Sequence, residues 1–433
     1  MIRATAKGFR LHIGFFGRRN VGKSSLLNAI TRQTVSIVSD VPGTTTDPVE
    51  KPMELEPIGP VLFVDTAGVD DVGALGAQRI EKTRQAIART DIGVLVTEAC
   101  AWGEFEDKLL AELRARGIPV LVAVNKADLA KPSADEIALF ANENLPWTLV
   151  AATKGEGVDA FRELLRQAAP EDAAEPPAIV RDLVPPGETA IFVMPIDKEA
   201  PKGRIKNLQV QAIRDLLDGE SSCIVVKDSG FGRAIENMKT PPSLVVTDAQ
   251  VFDQIARIAP NNVPLTAFSI LLSRLKGDLI AQTLAALTID DLRPGDKVLV
   301  AETCTHHPVE EDIGRVKIPR WIESYVGGKL EFTHVKGRDF PLDLSPYKLV
   351  IHCGACMWNR QEMMSRIREC QRQGVPITNY GLVIAMAQGI LERALEPFPE
   401  ALTAYREVRA LKMAWAASER APMPAEAEVA LVN

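Results

Sequence analysis

The residues with the clearest chemistry form the octapeptide Gly-Arg-Arg-Asn-Val-Gly-Lys-Ser at positions 17–24. A mostly apolar run precedes it and an apolar-periodic stretch follows, so we expect a strand, a glycine-rich loop and a helix. Gly17 and Gly22 would let backbone N–H groups surround phosphates at the positive end of that helix. Lys23 is expected to reach the β- and γ-phosphates, and Ser24 to ligate Mg²⁺. The octapeptide therefore predicts a P-loop.

Two further motifs follow apolar runs that we expect to be strands. One is expected to bind Mg²⁺ and the γ-phosphate, and the other to select the base. Asp65-Thr66-Ala67-Gly68 comes directly after the apolar run 61–64, where Asp65 is expected to hold Mg²⁺ through a water and the Gly68 amide to face the γ-phosphate. Asn125-Lys126-Ala127-Asp128 ends the apolar run 120–124. Because an Asp carboxylate accepts hydrogen bonds that the guanine edge supplies and adenine does not, Asp128 predicts GTP rather than ATP.

The elements that position these motifs alternate between strand-like and helix-like patterns, which predicts an α/β fold with mostly parallel sheets. We divide the chain into a GTPase domain (1–168), a small α/β dimerisation domain (178–270), an α/β metal-cluster domain (271–415) and a disordered tail (416–433). Residues 169–177 have the composition of a linker. In the third domain, the periodicity predicts one long helix over 270–287 and another over 382–391.

Length and composition narrow the class of protein. The chain has 433 residues, of which 46% are hydrophobic and 25% charged, as in a soluble globular protein. It contains no apolar run of about eighteen residues and no signal-peptide pattern, so we expect a cytoplasmic protein with no membrane span. The net charge of -7 argues against nucleic acid as the main partner.

The six cysteines form two groups. Three are scattered among apolar neighbours and are expected to be packing residues: Cys100, Cys223 and Cys370. The other three accompany two histidines just after two predicted strands, 297–301 and 348–351, which we expect to be neighbours; these ligand candidates are Cys304, His306, His352, Cys353 and Cys356. Their spacing alone is compatible with a closed zinc site, an iron–sulfur cluster on three thiolates, or unliganded buried cysteines.

The nucleotide motifs resemble the TrmE/Era-like branch of small GTPase domains, which responds to potassium. Pro42 to Asp47 looks like the first switch of that branch, so the resemblance implies that Thr45 ligates Mg²⁺ and that Asn20 helps to bind K⁺. Val69 stands where Ras-like GTPases carry a water-orienting Gln, which implies slow intrinsic hydrolysis; simple packing of the second switch explains Val69 equally well. The implied catalytic set is Lys23, Thr45, Asp65 and Gly68. The implied GTP contacts are Gly17, Asn20, Gly22, Lys23, Ser24, Ser25, Asn125, Lys126, Asp128, Thr153 and Lys154.

The cysteine pattern, behind a GTPase domain and a middle α/β module, resembles the maturation GTPases of FeFe-hydrogenases up to about residue 395. That resemblance implies a scaffold that holds a 4Fe-4S cluster through Cys304, Cys353 and Cys356, with His306 and His352 as candidates for the fourth ligand. It also implies a transient di-iron precursor, delivery to the apo-hydrogenase, contact with the radical-SAM maturases, and a homodimer.

Two alternatives from other classes stay open on the residues alone. One is a tRNA-modifying or ribosome-associated GTPase with a structural zinc site, which the first-switch sequence fits and the acidic charge balance disfavours. The other is a zinc-stabilised interaction protein whose GTP site only signals. The iron content of the purified protein separates both from the iron–sulfur hypothesis.

Overall fold

The computed structural model describes residues 7–32, 48–66, 82–170, 177–196, 205–303 and 312–417. The chain divides into two compact units, one up to Pro176 and one from Pro177 onward. The described residues include short helical turns at Lys7–Phe9, Arg181–Leu183, Asp228–Gly230, Ala249–Val251, Leu287–Asp291 and the π-helical Ile313–Lys317. In the described ranges, no helix is both long and apolar enough to cross a membrane.

The first unit is built on a six-stranded sheet with the order β2-β3-β1-β4-β5-β6. Only β2 runs antiparallel to its neighbour, and the remaining pairs are parallel, as the alternating pattern predicts. The central strands are buried along most of their length, because helices pack on both faces of the sheet. The strands are β1 (Leu11–Phe16), β2 (Val49–Leu55), β3 (Gly59–Asp65), β4 (Ile92–Glu98), β5 (Val120–Asn125) and β6 (Trp147–Leu149).

The helices of the first unit are amphipathic and bury one face against this sheet. In the last of them Val158, Phe161 and Leu165 are buried at helical spacing, whereas the opposite face carries charges. Residues 82–87 are also helical. The other helices are α1 (Lys23–Thr31), α2 (Glu104–Ala115), α3 (Ala134–Asn142) and α4 (Val158–Ala168).

The second unit contains two separate four-stranded parallel sheets. The first has the order β10-β9-β7-β8 and the second β12-β11-β13-β14. The predicted domains 178–270 and 271–415 thus each supply one sheet. The strands are β7 (Thr189–Val193), β8 (Ser222–Val226), β9 (Leu244–Thr247), β10 (Leu265–Ala267), β11 (Lys297–Glu302), β12 (Glu331–Lys336), β13 (Leu349–His352) and β14 (Ile377–Asn379).

Helices surround both sheets of the second unit. They are α5 (Asn207–Asp218), α6 (Phe231–Glu236), α7 (Phe252–Ile258), α8 (Phe268–Lys276), α9 (Leu279–Ala286), α10 (Ile318–Val326), α11 (Arg360–Arg372), α12 (Tyr380–Ala387), α13 (Leu391–Ala394) and α14 (Pro399–Ala417). The sequence analysis did not predict helix α14, which includes the first two residues of the predicted disordered tail. Residues 418–433 lie outside the described ranges.

Two of the predicted helices are wrong in extent. The helix expected over 270–287 is broken between α8 and α9, because the chain becomes extended at Gly277 and Asp278 then caps a new helix by accepting a hydrogen bond from the Ala281 N–H at 2.9 Å. The helix expected over 382–391 ends at Ala387, two residues before Gly389, which takes a left-handed φ of 72°. In both places a glycine lies where the helix stops.

Candidate functional site

The P-loop takes the backbone path that its two glycines allow. Gly17 has φ 148° and Gly22 has φ 91°. A Cβ on Gly17 would lie 2.2 Å from the Val96 carbonyl oxygen, and one on Gly22 would lie 2.1 Å from Asn125 Nδ2. Both positions therefore exclude a side chain, because the Val96 carbonyl and the Asn125 side chain pack directly against the loop backbone.

Lys23 and Ser24 open α1 and face the end of β3. The Lys23 ammonium is buried and donates to the carbonyl oxygens of Gly17 at 3.0 Å and Arg18 at 2.7 Å. Ser24 Oγ donates to Asp65 Oδ2 at 2.6 Å, because β1 and β3 are adjacent and place Phe15 opposite Asp65. A hydroxyl and a carboxylate oxygen in this position form a donor set that suits Mg²⁺.

An ion pair that the sequence did not reveal holds the P-loop against α2. Arg18 donates through Nε and Nη2 to the two carboxylate oxygens of Glu106, both at 2.8 Å, and the Glu106 side chain is only 1% exposed. The guanidinium also lies 5.4 Å from the centre of the Phe105 ring. This bidentate pair fixes the backbone whose carbonyl receives Lys23.

Asn125 links the P-loop to the loop that follows β6. Its Nδ2 donates to the Val21 carbonyl at 2.8 Å, and its Oδ1 accepts from the Ala152 N–H at 3.1 Å. The side chain is buried at the end of β5. Asn125 therefore acts as a bridge between the phosphate end and the base end of the site.

The predicted base-contacting residues lie in the loop that follows β5 and in the loop that follows β6. Asp128 Oδ2 is 3.1 Å from Lys154 Nζ, and Lys126 Nζ donates to Glu98 Oε1 at 2.5 Å. Thr153 lies in the same turn as Lys154. Of the other predicted residues, Asn20 is an exposed P-loop residue with φ 60° and Ser25 lies in the first turn of α1; Thr45, Gly68 and Val69 lie outside the described residues.

The second candidate site lies at the carboxyl ends of β11 and β13. The two strands pair in parallel with Ala301 opposite His352, which confirms the prediction that they are neighbours. Cys353 therefore follows β13 beside Thr303, whose N–H lies 3.2 Å from Cys353 Sγ. Cys304, the residue after Thr303, and His306 lie outside the described residues, so the structure brings together only Cys353 and Cys356 of the predicted cysteines.

His352 has both ring nitrogens engaged within the protein. Nδ1 donates to the Cys353 carbonyl at 2.7 Å, and Nε2 accepts from Arg366 Nη1 at 2.9 Å. Complete burial, reinforced by the positive charge of Arg366, lowers the pKa of His352 to about 3, so the ring is neutral. This geometry supports orientation of the cysteine segment by His352 rather than metal ligation.

Arg366 is a buried cation that the sequence analysis did not identify. Its guanidinium lies 4.1 Å from the centre of the Trp358 ring and 4.4 Å from that of Phe340, and its Nη2 donates to the Gly337 carbonyl at 2.7 Å. Burial lowers its pKa to about 10, and the nearby Cys353 opposes that shift. In the sequence, Arg366 stands between Met363, Ile367 and Cys370 on the face of α11 that is buried, and this face also carries the buried Glu362.

Lys276, the last residue of α8, is a second buried cation at the same loop. Its ammonium donates to the carbonyls of Ala355 and Cys356, both at 3.2 Å, and of Trp358 at 2.5 Å. Burial lowers its pKa to about 8, a shift that Cys356 and Cys353 oppose. No local pattern marked this residue, because lysine at a helix C-terminus is common.

These surroundings fit an anionic metal group. Cys353 and Cys356 are reduced thiols outside any disulfide, a backbone amide points at one of them, and two buried cations lie beside their loop. Thiolate ligands, hydrogen bonds to sulfur and local charge are the features that iron–sulfur sites use. Within the described ranges, no three His, Cys, Asp or Glu side chains come together as a metal site.

Three family models match the chain. A model described as the hydrogen maturase F dimerization domain matches residues 179–277, and one described as the hydrogen maturase F tetramerization domain matches residues 281–397. A third, described as a 50S ribosome-binding GTPase, matches residues 12–126. The tetramerization description was not expected from the sequence, which predicted only a dimer.

The chain is also similar, over part of its length, to individual proteins. The chain is 34% identical over 163 residues to GTPase Der of Wolinella succinogenes, covering 35% of this chain and 34% of that protein. It is 39% identical over 169 residues to the tRNA modification GTPase MnmE of Synechococcus, covering 38% and 35%. The chain thus spans about a third of the length of these curated relatives. The solved structure of an Aquifex aeolicus Era variant bound to GDP.AlF4- is 20% identical, with a TM-score of 0.35 over 57% of this chain and 97% of that one.

Proposed function

The chain belongs to the hydrogen maturase F family, and from this premise we propose that it is a GTP-hydrolysing scaffold that carries a 4Fe-4S cluster. The cluster would serve the assembly of an FeFe-hydrogenase active site. One observation carries the proposal: Cys353 and Cys356 follow β13 beside the end of β11, and Cys304 is the second residue after that strand. We therefore propose that the three thiolates meet at one edge of this sheet.

In the first unit the proposed reaction is attack of water on the γ-phosphate of GTP. Lys23 binds the phosphates, and Ser24 and Asp65 hold Mg²⁺, which offsets the phosphate charge when bound. Thr45 and the Gly68 amide complete the catalytic set in this proposal. Asp128 selects guanine, and Asn20 helps to hold K⁺ in place of the absent water-orienting side chain.

In the second unit Cys304, Cys353 and Cys356 would hold the cluster through three of its irons. The fourth iron would keep an exchangeable or weak ligand, for which His306 remains our candidate, and a di-iron precursor could dock there and later leave. His352 is better suited to orient the loop, because both its nitrogens already have partners. A cluster of this kind needs a reducing compartment, for which we propose the cytoplasm.

For the homodimer we propose contact through β8, the edge strand of the first sheet in the second unit. Among the strands that the structure describes, it pairs with β7 alone, and Ile224 and Val225 are 37% and 45% exposed. An apolar edge strand offers unpaired backbone groups to an identical strand. The edge lies within the segment that matches the dimerization model. The apo-hydrogenase and the radical-SAM maturases are the further partners of this proposal.

The test is anaerobic purification and reconstitution, followed by iron and sulfide quantitation and electron paramagnetic resonance of the reduced protein. We expect about four irons and four sulfides per chain and loss of the spectrum in Cys353→Ala. Cys100→Ala is the matched control, because Cys100 is an exposed free thiol in the first unit. Stoichiometric zinc without a reducible cluster would contradict the proposal and favour a zinc-stabilised GTPase.

A further inference from the structure

We infer that Lys276 is a positioning residue that clamps the Cys353–Cys356 loop onto α8 and supplies positive charge to the group bound there. Helix α8 ends the segment matched by the dimerization model, whereas the cysteines belong to the segment matched by the tetramerization model. The inference rests on the proposed cluster site. It adds to that site a residue from outside the segment that the tetramerization model matches.

The contacts of Lys276 are those of a clamp. Its ammonium has three N–H groups, and Nζ lies within 3.2 Å of three carbonyl oxygens of one turn, those of Ala355, Cys356 and Trp358. The turn is tight, since Trp358 N–H also donates to the Ala355 carbonyl at 3.0 Å and Ala355 takes φ 49°. The ammonium therefore fixes the backbone that carries the second cysteine.

Two further contacts join the same pair of elements. A Cβ on Gly354 would lie 2.7 Å from Leu272 Cδ1, so the loop rests directly on the side of α8. From the other side of the junction, Arg360 Nη1 donates to the carbonyls of Leu275 at 3.2 Å and Gly277 at 2.7 Å. Lys276 at the end of α8 thus binds carbonyls of the cysteine loop, and Arg360, which follows that loop, binds carbonyls at the end of α8.

Helix α8 is itself fixed to the first sheet of this unit. The Phe268 ring, at its first residue, packs edge-on against Phe192 of β7 with ring centres 5.3 Å apart. A shift of α8 on its sheet would move the Lys276 ammonium and with it the cysteine loop. The geometry of the cysteines therefore depends on a helix of the dimerization segment.

The charge of Lys276 has a separate consequence. Three thiolates give a bound 4Fe-4S cluster net negative charge, and one-electron reduction increases it. A buried cation beside the loop stabilises the reduced form more than the oxidised form, because a charge acts strongly where water is excluded. Removal of Lys276 should therefore lower the reduction potential of the cluster, while Arg366 supplies the remaining charge.

The experiment compares the full-length wild type with Lys276→Met and Lys276→Arg. Lys329→Met is the control, because the Lys329 side chain is 89% exposed in the same unit. Backbone amide exchange is measured on the metal-free chain, where it reports the clamp alone. Iron and sulfide content and the midpoint potential are then measured after reconstitution with ferrous iron and sulfide, during a dithionite titration.

For Lys276→Met we expect amide exchange in residues 353–358 to rise by about tenfold or more, since hydrogen bonds from a charged group to buried carbonyls are lost. The iron content should fall, and the potential of the remaining cluster should drop. Lys276→Arg keeps the charge, so its potential should stay near that of the wild type. The control should match the wild type in every measurement.

The failures of the two proposals can be told apart. A wild type that binds no cluster refutes the cluster site, whereas unchanged exchange, iron content and potential in Lys276→Met beside a loaded wild type refute the clamp. If Lys276→Met does not fold, Arg360→Gln loosens the same junction from its more exposed side. Exchange and iron content unchanged in Arg360→Gln would then overturn the inference.

Discussion

Replacing Asn125 with Ala should damage the nucleotide site in a way that can be estimated from two hydrogen bonds. The buried amide connects the Val21 carbonyl at 2.8 Å with the Ala152 N–H at 3.1 Å. The substitution removes both bonds and leaves two backbone groups in a buried site. Each such group costs about 1–3 kcal/mol, so the first unit should lose about 2–6 kcal/mol of unfolding free energy.

The same substitution should weaken GTP binding. The two bonds hold the phosphate loop and the guanine loop at a fixed separation, and the variant must order them when the nucleotide binds. A cost of only about 1.4 kcal/mol for that ordering lowers the affinity about tenfold. Asn125→Asp keeps an acceptor for the Ala152 N–H but places a buried carboxylate oxygen against the Val21 carbonyl oxygen, so it should be at least as damaging as Asn125→Ala.

Urea unfolding of the first unit and calorimetric titration with a non-hydrolysable GTP analogue measure the two effects. Asn142→Ala serves as the control, because Asn142 is exposed at the end of α3. A stability loss below about 0.5 kcal/mol, the range of ordinary surface substitutions, together with unchanged affinity would show that Asn125 does not bridge the two loops.

Three further predictions concern separate parts of the chain. Lys23→Met should abolish GTP hydrolysis and leave the iron–sulfur spectrum unchanged; loss of both would contradict two independent sites. Val225→Lys on the β8 edge should shift the protein toward monomer in sedimentation without loss of secondary structure, and an unchanged dimer would refute that interface. Burial lowers the pKa of His12 from 6.5 to about 4, so this group destabilises the first unit by up to about 3 kcal/mol as pH falls from 6.5 to 4. Chemical unfolding at pH 7 and pH 5 should show this loss, and His12→Gln should reduce it.

The positions of the P-loop residues between β1 and α1 could be predicted because the motif is local. A strand, a turn and a helix within about twenty residues specify where Lys23 and Ser24 lie, and parallel topology then places Asp65 beside them. The same reasoning predicted that β11 and β13 are neighbours, because candidate thiolate and imidazole ligands follow each of these two apolar strands. The hydrophobic periodicity predicted the wrong helix length where a glycine ended the helix early, as at Gly277.

What the sequence determined by itself was the set of chemical groups and the strand ends that carry them: the P-loop, the guanine motif and the cysteines. Only the tertiary structure decided which buried charges surround them. Lys276 is 79 to 82 residues from the carbonyls it contacts, and Arg18 is 88 residues from Glu106. A lysine or arginine has no local signature of burial, because its environment is supplied by distant segments that the fold brings to it.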